Sequence, residues 1–155
     1  MSNSERVLVA GGAGFIGSNL IDRLLERGAE VVCLDNLQTG RADNLLHLSR
    51  EQNFRFVQGD VCDPLPAELA AERFTHVYNL ACAASPPHYQ ADPEHTMLTN
   101  VLGTRNLLRL AEERDKQLAE LVGRGAVAEI ERIDNQRVIV ERQARLIAAE
   151  RVWQQ

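Results

Sequence analysis

The stretch "RVLVAGGAGFIG", Arg6–Gly17, decides the fold. Its first half is a short apolar run stopped by glycines, the form of a strand buried in a parallel sheet. Its second half sets Gly11, Gly14 and Gly17 three residues apart. A helix should follow. Ile16, Leu20, Ile21, Leu24 and Leu25 recur at helical spacing, and Gly28 stands where a helix C-terminus favours glycine. Each glycine of the triplet suits a pyrophosphate. Gly11 permits a sharp turn, Gly14 lets the backbone approach the ligand with no Cβ in the way, and Gly17 lets the helix pack close to the strand. The helix N-terminus then offers free N–H groups and the positive end of its dipole.

Working outward, strand and helix signals alternate. "EVVCLD" (Glu30–Asp35) reads as a second strand, "FRFVQGD" (Phe54–Asp60) as a third and "THVYNLA" (Thr75–Ala81) as a fourth. Between them lie a polar turn with a short helix through Leu45–Leu48, and a loop with a brief helix in "CDPLPAELAAERF". A long amphipathic helix is expected from about Pro93 through Ala111, reaching towards Leu121. This alternation predicts an α/β fold: a doubly wound parallel sheet of about four to five strands, Rossmann-like, truncated, with a helical C-terminal tail. Asp35 ends the second strand, 18 residues beyond Gly17. A carboxylate there accepts hydrogen bonds from ribose hydroxyls and repels a 2′-phosphate, which favours NAD over NADP. Asn36 and the turn Thr39–Gly40 are placed to close over the ribose and phosphate. Asp60, at the end of the third strand, is placed to meet the adenine amino group.

Composition narrows the function classes. The 155 residues suffice for one domain with a real core, and the 45% apolar and 25% charged content is an ordinary globular mix. A net charge of −5 argues against a nucleic-acid surface. Residues 1–114 carry 15 acidic and 10 basic side chains, whereas 115–155 carry 7 of each. No membrane span or signal peptide is readable, so a cytoplasmic protein is expected. Cys33, Cys62 and Cys82 are widely spaced with no CxxC, the pattern of reduced thiols that pack or line a site. His47, His76, His88 and His95 show no metal-binding spacing and read as structural or solvated, so no metal is expected.

The motifs "GGAGFIG", "LDNLQTG", "GDVCD", "YNLACAAS" and "TNVLGTRNLL" together resemble the extended short-chain dehydrogenase/reductase family, the nucleotide-sugar epimerases and dehydratases. They cover about residues 6–114. "ACAASPPHYQADPEHTMLTNVLGT" is most similar to UDP-glucuronate decarboxylases, whose signature here is an Ala-Ser-Pro-Pro loop followed by a tyrosine. The resemblance implies bound NAD and a UDP-glucuronate-like nucleotide sugar. It also implies transient oxidation at C4 of the sugar. The resulting β-keto acid loses CO₂, and hydride return gives UDP-xylose. It further implies that Phe15 and Ile16 sit at the pyrophosphate turn and that Asp60 and Val61 flank the adenine. Leu80, Ala81 and Cys82 would line the nicotinamide side, and Thr99 would contact the cofactor from the helix. Leu65, Ser85 and Asn100 are the implied substrate-side residues. Several relatives carry a basic residue two before the asparagine, where this chain has Leu98.

The family's catalysis needs a tyrosine with a lysine four residues on, so that the lysine and NAD⁺ lower the phenol's pKa. Four after Tyr78 is Cys82, four after Tyr89 is Pro93, and four before the single lysine, Lys116, is Glu112. The pair does not exist in these 155 residues, so no catalytic residue is assigned. Tyr89 reads as a loop residue beside a double proline that stiffens the loop, and Tyr78 as core. Residues 1–114 are thus expected to form an NAD-binding domain that is inactive alone. The alternatives are a non-catalytic interaction module or a truncated gene product. No family motif is recognised in residues 115–155. Ile130, Ile133, Arg137, Val140, Ala144 and Ile147 suit an amphipathic helix, and a second reading makes Arg137–Glu141 a fifth strand covered by a helix over 142–153. Either form is expected to cover the edge of the fourth strand or to pair with another copy of the chain.

Overall fold

The computed structural model describes residues 5–123. The chain divides into two compact units, Met1–Ala111 and Glu112–Gln155, and the described part of the second is helix as far as Gly123. Four strands, β1 (Arg6–Ala10), β2 (Glu30–Asp35), β3 (Phe54–Gln58) and β4 (His76–Asn79), form one parallel sheet in the order β3-β2-β1-β4. Val7 lies opposite Val31 on one side and His76 on the other. The chain moves outward from β1 through β2 to β3, then returns to the far side of β1 with β4. That reversal opens a crevice beyond the carboxyl ends of β1, β2 and β4, where α/β sheets bind ligands.

Side chains alternate across the sheet with period two. On one face, Val7, Val9, Val31 and Cys33 pack against Ile21 and Leu24 of α1 (Phe15–Glu26) and against Leu45 and Leu48 of a 3₁₀ helix (Ala42–Leu48). On the other, Leu8, Ala10, Val32 and Leu34 pack against Leu69 of α2 (Ala67–Ala71), Phe74, Val61 and Leu107. Both faces are therefore covered, as the near-continuous apolar runs of β1 and β2 require. Fully burying each such Leu, Ile or Val contributes about 1.5–3 kcal/mol.

The third and fourth strands are shorter than expected. Single backbone bonds from the Gly59 N–H to the Asp35 carbonyl and from the Leu80 N–H to the Ala10 carbonyl carry each one residue further. Tyr78 is corrected from core to surface. It is 37% exposed, because β4 pairs only with β1 among the described residues. The double proline is not a stiffened loop. Pro86 and Pro87 open a helix, α3 (Pro86–Ala91), whose first turn needs no proline N–H. Tyr89 is accordingly a helical residue and not a loop residue. α4 (Pro93–Leu98) is capped by the Asp92 carboxylate, which accepts from the His95 N–H at 2.9 Å. A π-helical turn (Thr99–Gly103) then leads into α5 (Thr104–Gly123). The single helix expected from Pro93 is thus interrupted in its middle. The fifth-strand and tail-helix readings of 130–153 lie outside the described residues.

The π-helical turn presses the α-carbon of Gly103 against Val61, where a Cβ would stand 2.5 Å from Val61 Cγ2. Gly103→Ala should therefore lower stability by about 1–3 kcal/mol through overpacking. Urea unfolding of the Gly103→Ala/Val61→Ala pair should cost less than the sum of the two single changes.

Candidate functional site

The crevice is built first from the loop between β1 and α1. Gly11 holds φ at +79°, and a Cβ there would come 2.5 Å from the Leu80 carbonyl carbon. The loop thereby presses directly on the chain leaving β4. A Cβ on Gly17 would overlap the Gly11 carbonyl oxygen, so the start of α1 is drawn tight against the loop. The first i−4 bond of α1 runs from the Ser18 N–H to the Gly14 carbonyl at 3.0 Å. The N–H groups of Phe15, Ile16 and Gly17 precede it and have no i−4 carbonyl within the helix. Phe15 and Ile16 are 83% and 69% exposed.

Asp35 is 8% exposed and does more than face a ligand. Its Oδ2 accepts from the Ala13 N–H at 2.9 Å and its Oδ1 from the Leu37 N–H at 2.8 Å. The glycine loop and the turn after β2 are thus tied to one carboxylate. Gly40 completes the corner, with space for a Cβ closed by Asp35 Oδ1 at 2.9 Å and Ala13 at 3.0 Å. Asn44 Nδ2 and the Arg41 N–H both donate to the Ala13 carbonyl.

Asp60 is the second junction. Its Oδ2 accepts from Asn36 Nδ2 at 2.7 Å and from His95 Nε2 at 2.9 Å, and its Oδ1 accepts from the Cys62 N–H at 2.8 Å. Burial alone would raise its pKa. The bonds from the Cys62 N–H, Asn36, the Cys62 thiol and His95 outweigh that and hold its carboxyl at about 2. Desolvation pushes the Cys62 thiol up, and its sulfur stands 3.6 Å from Thr99 Oγ1. Cys33, buried in the core beside Asp35, is pushed up to about 12, first by desolvation and then by the Asp35 charge.

These walls border an open groove. Of the residues expected to hold a cofactor, Gly11, Gly14, Asp35, Asn36, Thr39, Gly40, Val61, Leu80, Ala81, Cys82 and Thr99 border it. Phe15, Ile16, Gly17 and Asp60 are not among the residues that line it. Of the substrate-side residues, Asn100 donates from Nδ2 to the Thr96 carbonyl at 2.8 Å and to Cys82 Sγ at 3.3 Å. Ser85 bonds His88 Nδ1 at 2.6 Å at the head of α3. Leu65, half-buried, packs against the core cluster that contains Leu34 and Leu69 and does not line the groove. His95 and Thr96 border the groove and were missed. The available signal was that His95 and Thr99 stand four apart on one helical face. Of the four histidines read as structural or solvated, two are paired with carboxylates, His47 with Asp22 at 2.8 Å and His95 with Asp60.

A parallel sheet wound both ways from β1, with a glycine-bounded helix start facing a strand-end carboxylate, defines a dinucleotide-type α/β domain. A profile of the NAD dependent epimerase/dehydratase family matches residues 7–133, and the chain belongs to that family. It is 47% identical over 107 residues to UDP-glucuronic acid decarboxylase 1 of Arabidopsis thaliana, covering 69% of this chain and 23% of that one. It is 44% identical to UDP-glucuronic acid decarboxylase 1 of Danio rerio, over 70% of this chain and 25% of the relative. Among solved structures it is similar to the UDP-glucose 4-epimerase of Thermus thermophilus in complex with NAD. That match has 40% identity and a TM-score of 0.59, over 70% of this chain and 34% of the other. The dTDP-glucose 4,6-dehydratase DesIV of Streptomyces venezuelae, with NAD and TYD bound, matches at 33% identity and a TM-score of 0.62, over 70% of this chain and 36% of that one. The chain spans about a quarter of the length of the curated relatives it matches. Among the described residues no helix is long and apolar enough to cross a membrane.

Thiol reactivity separates the cysteines. A water-soluble disulfide reagent at neutral pH should modify exposed Cys82 readily and reach Cys33 only on unfolding, read by mass spectrometry of the native and urea-unfolded protein. Asp60 gives a pH signature. Its folded-state pKa lies below the ordinary 3.8, so its contribution to stability is full above that value and drains as the pH falls towards about 2. The stability gap between the wild type and Asp60→Asn, followed by urea midpoint, should narrow across that window.

Proposed function

We propose that this chain is the NAD-binding portion of a nucleotide-sugar enzyme of the UDP-glucuronate decarboxylase kind, and that it is inactive without residues outside these 155. The observation that carries the reading is the joining of the glycine-bounded start of α1 to Asp35 across one groove. The residues present fit a dinucleotide. Gly14 leaves the loop without a Cβ where phosphate would approach, its nearest obstacle being the Gly11 carbonyl at 3.3 Å. The first-turn N–H groups of α1 and the positive end of its dipole suit the pyrophosphate. Asp35, with Asn36 and Thr39 beside it, suits the adenosine ribose, and its charge disfavours a 2′-phosphate. Val61 and Asp60 suit the adenine, while Leu80, Ala81, Cys82 and Thr99 suit the nicotinamide end.

When bound, NAD supplies a place for the hydride from C4 of a nucleotide sugar and returns it after CO₂ is lost. Taking the C4 hydroxyl proton at the same moment requires a positioned base. The sequence holds no tyrosine with a lysine four residues on, so this chain orients the cofactor and leaves the proton step without its base. Asn100 and Ser85 would border the sugar in the completed site. The three free thiols support a reducing compartment such as the cytoplasm.

Calorimetric titration of NAD into the purified chain tests the first half of the reading, and absence of binding at millimolar cofactor would overturn it. Asp35→Ala should weaken NAD at least about tenfold and should also lower stability by about 1–3 kcal/mol, because the Ala13 and Leu37 N–H groups lose their acceptor. Incubation with UDP-glucuronate and NAD tests the second half. No steady CO₂ release is expected, and sustained release by the chain alone would contradict the assignment of an incomplete site.

A further inference from the structure

Beneath the adenine end of the groove, three side chains of different ligand chemistry converge. A carboxylate oxygen of Asp60, Sγ of Cys62 and a ring nitrogen of His95 lie within 4.8 Å of one another, all half-buried. Oxygen, thiolate and imidazole are the three ligand types that zinc(II) accepts, at about 2.0–2.3 Å each. Donors of a tetrahedral site are then about 3–4 Å apart, so small side-chain rotations suffice to close the ring around an ion. The elements are well placed for this. Asp60 and Cys62 are fixed to one turn by the Cys62 N–H to Asp60 bond, and His95 is fixed on α4 by the Asp92 cap. Outer partners are in place as well. Asn36 holds Asp60, and Thr99 Oγ1 stands 3.6 Å from the Cys62 sulfur and 3.5 Å from His95 Nδ1. Such partners orient metal ligands and fix the imidazole tautomer.

We propose that Asp60, Cys62 and His95 form a binding site for a borderline-soft divalent cation of the zinc(II) type, and that the ion competes with a dinucleotide for the adenine end of the groove. The Cys62 thiol releases its proton to water as the metal–sulfur bond forms. The Nε2–H of His95, which now donates to Asp60, moves to Nδ1, where Thr99 Oγ1 receives it. Three protein ligands leave a fourth position open to water. With Asp60 ligating the ion, its oxygens no longer offer an acceptor to an adenine amino group. The competition rests on the NAD-binding reading above, whereas the metal site does not.

Cobalt(II) is the probe. The full-length chain, stripped of metal by a chelator, is titrated with cobalt(II) and then with zinc(II). One cobalt per chain with a thiolate charge-transfer band in the near ultraviolet, bleached by zinc, is expected. Cys62→Ser should abolish the band. His95→Gln, at a part-exposed helical position, should raise the cobalt midpoint at least about tenfold. His47→Gln, an exposed histidine elsewhere, should leave both unchanged. Far-ultraviolet circular dichroism of each variant verifies the fold, and the His95→Gln arm stands by itself if Cys62→Ser does not fold. Absence of a band at millimolar cobalt, or a band that survives both Cys62→Ser and His95→Gln, overturns the site. Zinc at the concentration that just saturates the wild type should weaken NAD binding several-fold there and much less in His95→Gln. Equal NAD affinity with and without zinc overturns the competition. A chain that binds cobalt but never NAD would instead count against the NAD-binding reading while upholding the metal site.

Discussion

Asp35 is the constraint on which the rest of the site depends. Its carboxylate, almost wholly buried, accepts one backbone N–H from the glycine loop and one from the turn after β2. Removing the carboxylate would leave buried donors unsatisfied and would free two loops at once. The loop after β1 is held from the other side by sterics. Gly11 touches the chain leaving β4, and Gly17 brings α1 against the Gly11 carbonyl. One carboxylate and two missing side chains therefore fix the positions of the carboxyl ends of three strands, and the groove is the space left between them.

Asp60 repeats the device one strand further out. It links the turn after β2 through Asn36, its own turn through the Cys62 N–H, and α4 through His95. α4 thus reaches the sheet edge through a polar contact, and the π-helical turn beyond it sets Thr99 facing the groove and Gly103 against Val61. A π turn adds one residue to a helical turn and rotates the next stretch of helix about its axis, and such turns gather at functional sites. Here it brings Thr99 towards the groove and Asn100 towards Cys82, so that the helix supplies one wall of the site.

Most of this architecture was legible in the sequence, and the reasons are physical. β1 and β2 are buried on both faces, so their apolar runs are unbroken and bounded by glycine or acid. The glycine triplet and Asp35 are local features with one compatible geometry. The features that escaped the sequence depend on contacts between distant segments. Tyr78 looked like core because it sits inside a strand, but its exposure is decided by which strands flank it. Pro86–Pro87 looked like a stiff loop because two prolines exclude a helix interior, yet they are compatible with a helix start. The His95–Asp60 pair spans 35 residues, and no spacing rule reaches that far.

The unused valence of the two carboxylates carries the argument one step further. An ionised carboxylate offers about four acceptor positions. Asp35 spends two on backbone donors, one at each oxygen, and keeps one free on each. Two free positions on neighbouring oxygens match the two vicinal hydroxyls of a ribose. Asp60 receives four donors, Asn36 Nδ2 and His95 Nε2 on Oδ2, the Cys62 N–H on Oδ1, and the Cys62 thiol, three of them from side chains. The same count explains why the two acids differ in what they can do besides. Asp35 is committed to backbone donors and belongs to no cluster of ligating side chains among the described residues, so it serves as an acceptor. Asp60 is surrounded by exchangeable side-chain partners, a thiol and an imidazole among them. Its environment can therefore be rearranged around an ion without unpicking the loops that Asp35 holds.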